Sequence, residues 1–453
     1  MFKKYFGSKE FENKAIKIAL PVMFQGVISN LINLLDNVMV GQFGKFALSG
    51  VSSANRYYMV ASFGMSGLLG AASVFLAQFL GADDKKHMKQ SFRYMVLFSS
   101  ILIVPVVLFG FLFPELVIAF FTDDASTIAI GSVYLRAVII SFIPHTISSC
   151  ISSAMRAVGE TTIPMIISVA TIVVNIICDF SLMFGFGPIP ALGLVGSAYG
   201  TFIARILEVI LFLVVLLYKK LPFAIKPWSL FKIEFNLIKN ITVKAFPLLL
   251  NEILWASGMA ALFKFYATRG PDVMAGYAIA GTVSDIFFTW FGGMAVAITV
   301  LVAQNLGANK IDKAKENGYH MIGLSLKMAV LFAIIMFTSA FIMPHLYDVD
   351  IETKQLATNF IQIMSCFYFL YVINCACYFI LRAGGEMKLT MIFDSVFMWV
   401  VNIPVVAIMA YLTNFNIYVL YIVGQATDIP KLILAYVLVK KETWLNNLTE
   451  MDA

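Results

Sequence analysis

Seven carboxylates lie inside long apolar stretches of this 453-residue chain: Asp36, Asp179, Glu208, Glu252, Asp285, Asp394 and Asp428. An ionisable group in hydrocarbon is expensive unless it is paired or solvated, so each is a functional candidate. Asp36, Asn175, Asp179 and Thr201 form the sharpest set. Asn175 and Asp179 are four residues apart and share one helix face. Counted inward from the same ends of their segments, Asp36, Asp179 and Thr201 lie at depths that agree within roughly 6 Å at 1.5 Å rise per residue. Two carboxylates, an amide oxygen and a hydroxyl suit a hard cation such as sodium. They equally suit a shared proton, because two adjacent carboxylates in low dielectric do not both stay ionised cheaply and titrate as a unit. The duller alternative is a polar network that seals the helices.

Glu252, Asp285 and Asp394 form a second, looser set, suited to a cation or to a substrate. Other charges read as local ion pairs: Arg205 with Glu208, and Asp428 with Lys431, each three apart on a helix. His145, beside Pro144, reads as a packed imidazole rather than a ligand. Aromatic residues are abundant, and Tyr57, Trp255, Tyr277 and Trp290 are candidates to line a cavity, where rings bind organic cations. The five cysteines all sit in apolar stretches and read as packing residues. No metal is expected beyond sodium, and no cofactor.

The elements that must position these groups follow from composition. Hydrophobic types make up 60% of the chain and charged types 13%, with a mean hydropathy of +0.87. A soluble domain carries about 25% charged residues. A soluble enzyme, a nucleic-acid binder and a disordered chain are therefore excluded. Twelve segments are long and apolar enough to cross a bilayer as helices. In the first half they run near 15–40, 50–80, 92–116, 130–157, 162–187 and 192–218. In the second they run near 241–267, 275–305, 318–343, 356–382, 388–412 and 415–439. The N-terminus lacks the short apolar core and cleavage site of a signal peptide. With that terminus inside, 23 of the 32 Lys and Arg residues fall on the inner side, which places both termini in the cytoplasm. Between the halves, 219–240 mixes lysines with Phe, Trp and Leu and reads as a cytoplasmic amphipathic linker.

The halves also repeat each other at an offset of 226. Leu20-Pro21 answers Phe246-Pro247, Gln78 to Ala82 answers Gln304 to Ala308, and Met155-Arg156 answers Leu381-Arg382. Six spans per half put both halves in the same orientation, a parallel repeat. The expected fold is an all-α membrane protein of two pseudo-symmetric six-helix lobes, 1–218 and 241–453. The acids are not repeated: Leu262 stands at the position matching Asp36, and Gly26 at that matching Glu252. That asymmetry speaks against a passive pore built from matching rings.

These residues resemble the multidrug and toxic compound extrusion (MATE) family. Leu20-Pro21 through Asp36-Asn37 to Gly41 is similar to its opening motif, and Gln78 to Ala82 to its motif after the second helix. Arg156 to Glu160 with Pro164, Asn175 to Asp179, and Gly193 to Ala198 with Thr201 resemble its later turns and hairpin. The resemblance covers nearly the whole chain. It implies a secondary antiporter, in which proton or sodium entry drives export of organic, often cationic and amphipathic, compounds by alternating access. It also implies a proton or cation site in the first lobe, whose motif Asp36, Asn175, Asp179 and Thr201 match. The second lobe departs from the NorM-like branch. Its tenth helix carries Tyr371 and Asn374 where that branch has an acid, so Glu252 and Asp394 form either a cation site or a separate cavity site.

The expected partners are small organic molecules and membrane lipids, with no nucleic acid, and the expected state is a monomer in the inner (plasma) membrane. Two other readings compete. A lipid-linked oligosaccharide flippase of the same superfamily would want a strongly basic first lobe, and the spans offer mainly Arg205, with Arg136 at a margin. An intramembrane enzyme would need a nucleophile or a paired histidine and acid at the interface, and none stands out.

Overall fold

The computed structural model describes residues 2–188, 190–347 and 349–450. Twelve helices among them are long and apolar enough to cross a membrane. They are α1 (Lys9–Gly41), α2 (Lys45–Gly81), α3 (Lys85–Leu112), α4 (Ala125–Ala157), α5 (Thr162–Phe184) and α6 (Leu194–Lys219), then α7 (Phe235–Ala267), α8 (Pro271–Gly307), α9 (Ile311–Ser339), α10 (Ile351–Ala383), α11 (Met387–Leu412) and α12 (Ile417–Lys440). In hydrocarbon each backbone N–H needs a partner within its own segment, which is why such sequences become helices. Many large apolar side chains point outward, among them Phe120, Leu217, Ile351 and Leu412, as lipid-facing residues do.

The repeat is written into the helix ends. α1, α2 and α4 each start and stop 226 residues before α7, α8 and α10. Even the caps correspond. Asp124 accepts hydrogen bonds from the Thr127 backbone and hydroxyl, and Asp350 does the same for Thr353. Several helices begin earlier than the apolar run alone indicates. α3 starts at Lys85 rather than near 92, because Asp84 caps the N–H groups of Lys86 and His87 and the helix runs out past the apolar core.

Several spans are irregular. Pro21 lies within α1 and Pro247 within α7. α8 and α11 contain wider π-type turns at Thr299–Ala303, Ile392–Val396 and Met398–Asn402. α12 is interrupted at Thr427, just before Pro430, whose missing N–H leaves the Ala426 carbonyl without its helical donor.

The chain gathers into two compact units. One comprises Met1–Met23, Ala77–Asp83 and Phe246–Ala453, the other Phe24–Leu76 and Asp84–Ala245. The chain passes from one unit to the other four times, twice next to Pro21 and Pro247 and twice around Ala77–Asp83. In the first unit the repeated motif packs on its own copy: a Cβ at Gly81 would overlap the Gln304 carbonyl, and one at Gly307 the Gln78 carbonyl. Gln78, fully buried, donates to the Ala383 carbonyl at 2.9 Å and accepts from the Leu448 N–H at 2.6 Å. In the second unit α5 and α6 form a tight hairpin, with Gly196 against the Leu182 backbone and Gly200 against Asp179. The segment before α7 holds one 3-10 turn, Pro227–Ser229, with Trp228 and Phe231 exposed. It is pinned at Glu234, which meets Lys86 at 2.5 Å, Gln90 at 3.1 Å and His87 at 3.4 Å. These hydrogen bonds, that from Lys86 first, hold the Glu234 carboxyl down at about 2. All five cysteines are free thiols.

Candidate functional site

In the second unit Asp36 (α1), Asn175 and Asp179 (α5) and Tyr134 (α4) come together. Asp179 is 1% exposed, and neither of its carboxylate oxygens has a hydrogen-bond partner. Asp36 Oδ1 and Asn175 Nδ2 are also buried without partners. The Asn175 amide is beside Asp179 without closing a hydrogen bond. The two acids are close enough for their charges to interact, and both charges reach Tyr134. Arg205 on α6 is the cation whose field reaches Asp36. Thr201 is half-buried one position past Gly200, the residue lying directly against Asp179.

Buried polar atoms are normally satisfied, so orphaned carboxylate oxygens in one place call for a proton, a cation or water. The residue types fit a proton shared between the acids or a hard cation held by oxygens. Tyr134 is the participant that sequence reasoning missed. It sits on a helix that carries no acid of its own in its span, so neither motif nor spacing ties it to Asp36.

A second buried network lies in the same unit, centred on Glu208. Its carboxylate accepts from Arg205 at 3.1 Å, Ser148 at 2.9 Å and Ser168 at 3.4 Å, and His145 Nδ1 is 4.0 Å away. Ser168 accepts in turn from Gln25 at 2.7 Å, whose carbonyl oxygen accepts from Arg156 at 3.0 Å. The expected Arg205–Glu208 pair is therefore one link in a chain through α1, α4, α5 and α6.

In the first unit Asn251 (α7, 3% exposed) donates to Asp394 Oδ2 at 3.1 Å and accepts from the Ser395 hydroxyl at 2.6 Å. Lys431 donates to Asp394 Oδ1 at 2.6 Å, while Asp428 lies 3.9 Å from the same ammonium. Lys431 is thus first a partner of Asp394 on α11, and only second of its neighbour on α12. Glu252 is half-buried, and its charge feels Arg382 and Asp394. Asp285 is exposed on α8 and its charge reaches Tyr277.

The aromatic candidates separate. Tyr277 joins a cluster of rings, 5.4 Å from Tyr266 and 6.0 Å from Tyr421. Trp290 is 2% exposed and packs on Phe332 at 5.6 Å. Tyr57 is fixed by a bond to the Val106 carbonyl at 2.9 Å, and Trp255 is 37% exposed.

The chain as a whole resembles known proteins. A family model described as MatE matches residues 21–181 and 247–436, two stretches that begin at Pro21 and Pro247, 226 residues apart. The chain is 23% identical over 423 residues to a probable multidrug resistance protein NorM of Thermotoga maritima, covering 90% of this chain and 88% of that one. It is 23% identical over 443 residues to another of Oceanobacillus iheyensis, covering 94% and 97%. The crystal structure of the Vibrio cholerae MATE transporter VcmN in the bent form matches with a TM-score of 0.86 at 18% identity, over 96% of this chain and 97% of that one.

Proposed function

The chain belongs to the MatE family, transporters and not enzymes, and from that premise we propose that it exports organic, often cationic and amphipathic, compounds from the cell by ion-coupled antiport. Entry of a proton or of sodium drives the export. The reading puts the protein in the plasma membrane with both termini in the cytoplasm. Lobes 1–218 and 241–453 alternate access across the linker 219–240, and the protein works as a monomer.

One observation supports the reading above the others: the orphaned oxygens of Asp36 and Asp179 beside Tyr134. With both acids ionised, the pair holds negative charge that attracts a cation or orders water. Loading a proton or sodium cancels one of the two charges, and the helices that carry the pair repack. Asp36 stands fifteen residues beyond Pro21 on the same helix, and a proline that frees a carbonyl lets a helix bend there. The relatives' naming as multidrug resistance proteins supports the substrate class.

Coupling by exchange can be tested at equilibrium. Purified protein in weakly buffered detergent is titrated with a lipophilic organic cation, while a pH indicator or a sodium electrode reads what is displaced. Release of proton or sodium by the wild type, and its loss in Asp36→Asn, is the expected result. Cation binding with no ion release from the wild type at any pH would defeat the exchange mechanism.

A further inference from the structure

The Asp394–Lys431–Asp428 cluster has a feature that the antiport reading does not use. It is built like a cation site, yet a side chain of the protein already supplies the cation. The Lys431 side chain is 14% exposed, and its ammonium sits 2.6 Å from one carboxylate and 3.9 Å from another. The remaining Asp394 oxygen is held by Asn251 at 3.1 Å. Further acceptors stand along the interrupted α12. Asn374 Oδ1, Asn402 Oδ1 and Gln425 Oε1 are buried without partners. The Asn402 amide bonds the Thr427 hydroxyl at 2.5 Å, and the Asn374 amide approaches the Asp428 carbonyl at 3.5 Å. Asp428 is also the first residue of the resumed helix, where the backbone dipole favours an anion.

We propose that Lys431 is a tethered counter-ion that takes the place a free cation would have between Asp394 and Asp428, so that no free sodium binds there and the Asp36–Asp179 pair carries the coupling ion alone. The juxtaposition makes the case. Carboxylate, amide and carbonyl oxygens are what a hard cation takes. Here an ammonium already lies on the Asp394 oxygen that such an ion would need. A second unit charge about 4 Å from the first is disfavoured, at an effective dielectric of about 20, by on the order of a thousandfold in affinity. The consequence for coupling rests on the antiport reading. The exclusion of sodium does not, because it concerns equilibrium binding.

The test uses purified full-length protein and sodium-22 in a scintillation binding assay. All variants carry Asp36→Asn and Asp179→Asn, so that the other acid pair is silent. With Lys431 intact, no saturable sodium binding is expected. Lys431→Met should create one site per protein, a gain of about a hundredfold or more in affinity, and its melting temperature should rise with sodium chloride but not with choline chloride. Adding Asp394→Asn to Lys431→Met should abolish both effects. Saturable binding with Lys431 intact that Asp394→Asn removes would overturn the proposal, as would a folded Lys431→Met protein that binds no sodium. If Lys431→Met does not fold, the Lys431-intact protein decides alone by the first of those criteria. A failure of the wild type to move any organic cation would defeat the antiport reading and leave the binding result standing.

Discussion

Gly200→Ala puts one methyl group against the candidate coupling acid, whose atoms are the three nearest to it. A Cβ built there overlaps Asp179 Oδ1 and lies 3.1 Å from its Cγ and 2.8 Å from its backbone nitrogen. The carboxylate must swing away and α5 must ease off α6. Overpacking of one methyl in a tight contact costs about 1–3 kcal/mol. If that strain falls on the loaded form of the acid pair, affinity for the driving ion drops roughly five- to a hundredfold, at about 1.4 kcal/mol per factor of ten. Gly196→Ala is the matched control. Its Cβ meets the Leu182 backbone and lies 2.8 Å from the Met183 nitrogen, in the same hairpin and away from the carboxylate. Both variants should melt lower than wild type in detergent. Dye export from vesicles should need a much steeper ion gradient in Gly200→Ala, and an ordinary one in whatever Gly196→Ala protein folds. Equal loss of coupling in both, at matched amounts of folded protein, would refute the idea that Asp179 placement is what Gly200 provides.

Other expectations follow from single contacts. Tyr134→Phe removes a hydroxyl within reach of both acids' charges, so export should persist while its dependence on pH moves; an unchanged profile in a transport assay would separate Tyr134 from the acid pair. Glu208→Leu takes the shared acceptor from Arg205, Ser148 and Ser168 at once, and leaving buried donors unsatisfied should be read as a fall in melting temperature or in yield. Gln78→Leu strips the partner from the Leu448 N–H, and protease should then clip the chain end near 446–450 faster than in wild type. Glu234 has its carboxyl depressed from 4.5 to about 2. Its docking should therefore hold at neutral pH and be lost only as pH falls through about 4 toward 2, whereas Glu234→Gln should loosen 221–234 to proteolysis at neutral pH.

How much of this could be read in advance depended on whether the signal was local. Twelve apolar runs and a constant offset are properties of the chain itself, and the structure carries the offset down to the paired caps Asp124 and Asp350. The apolar run understated the helices at their polar ends, where Asp84 rather than hydrophobicity sets the start. Asp36 and Asp179 were legible because burying a carboxylate is costly wherever it occurs. Tyr134 was not, because a tyrosine in a span is unremarkable until its neighbours are known. Lys431 shows the limit of spacing. Its neighbour three residues before, Asp428, looks like its partner, yet the shorter contact is to Asp394, 37 residues back, on a stretch of α11 reshaped by wide turns.

Antiport requires that the acid pair couple an ion to export. Its most direct test is efflux of a cationic fluorescent dye from proteoliposomes under a proton gradient or a sodium gradient imposed separately, with wild type and Asp36→Asn side by side. Dye movement driven by one of the gradients and absent in a folded Asp36→Asn protein is the predicted result. Dye movement that Asp36→Asn leaves intact, or that neither gradient drives, would contradict it.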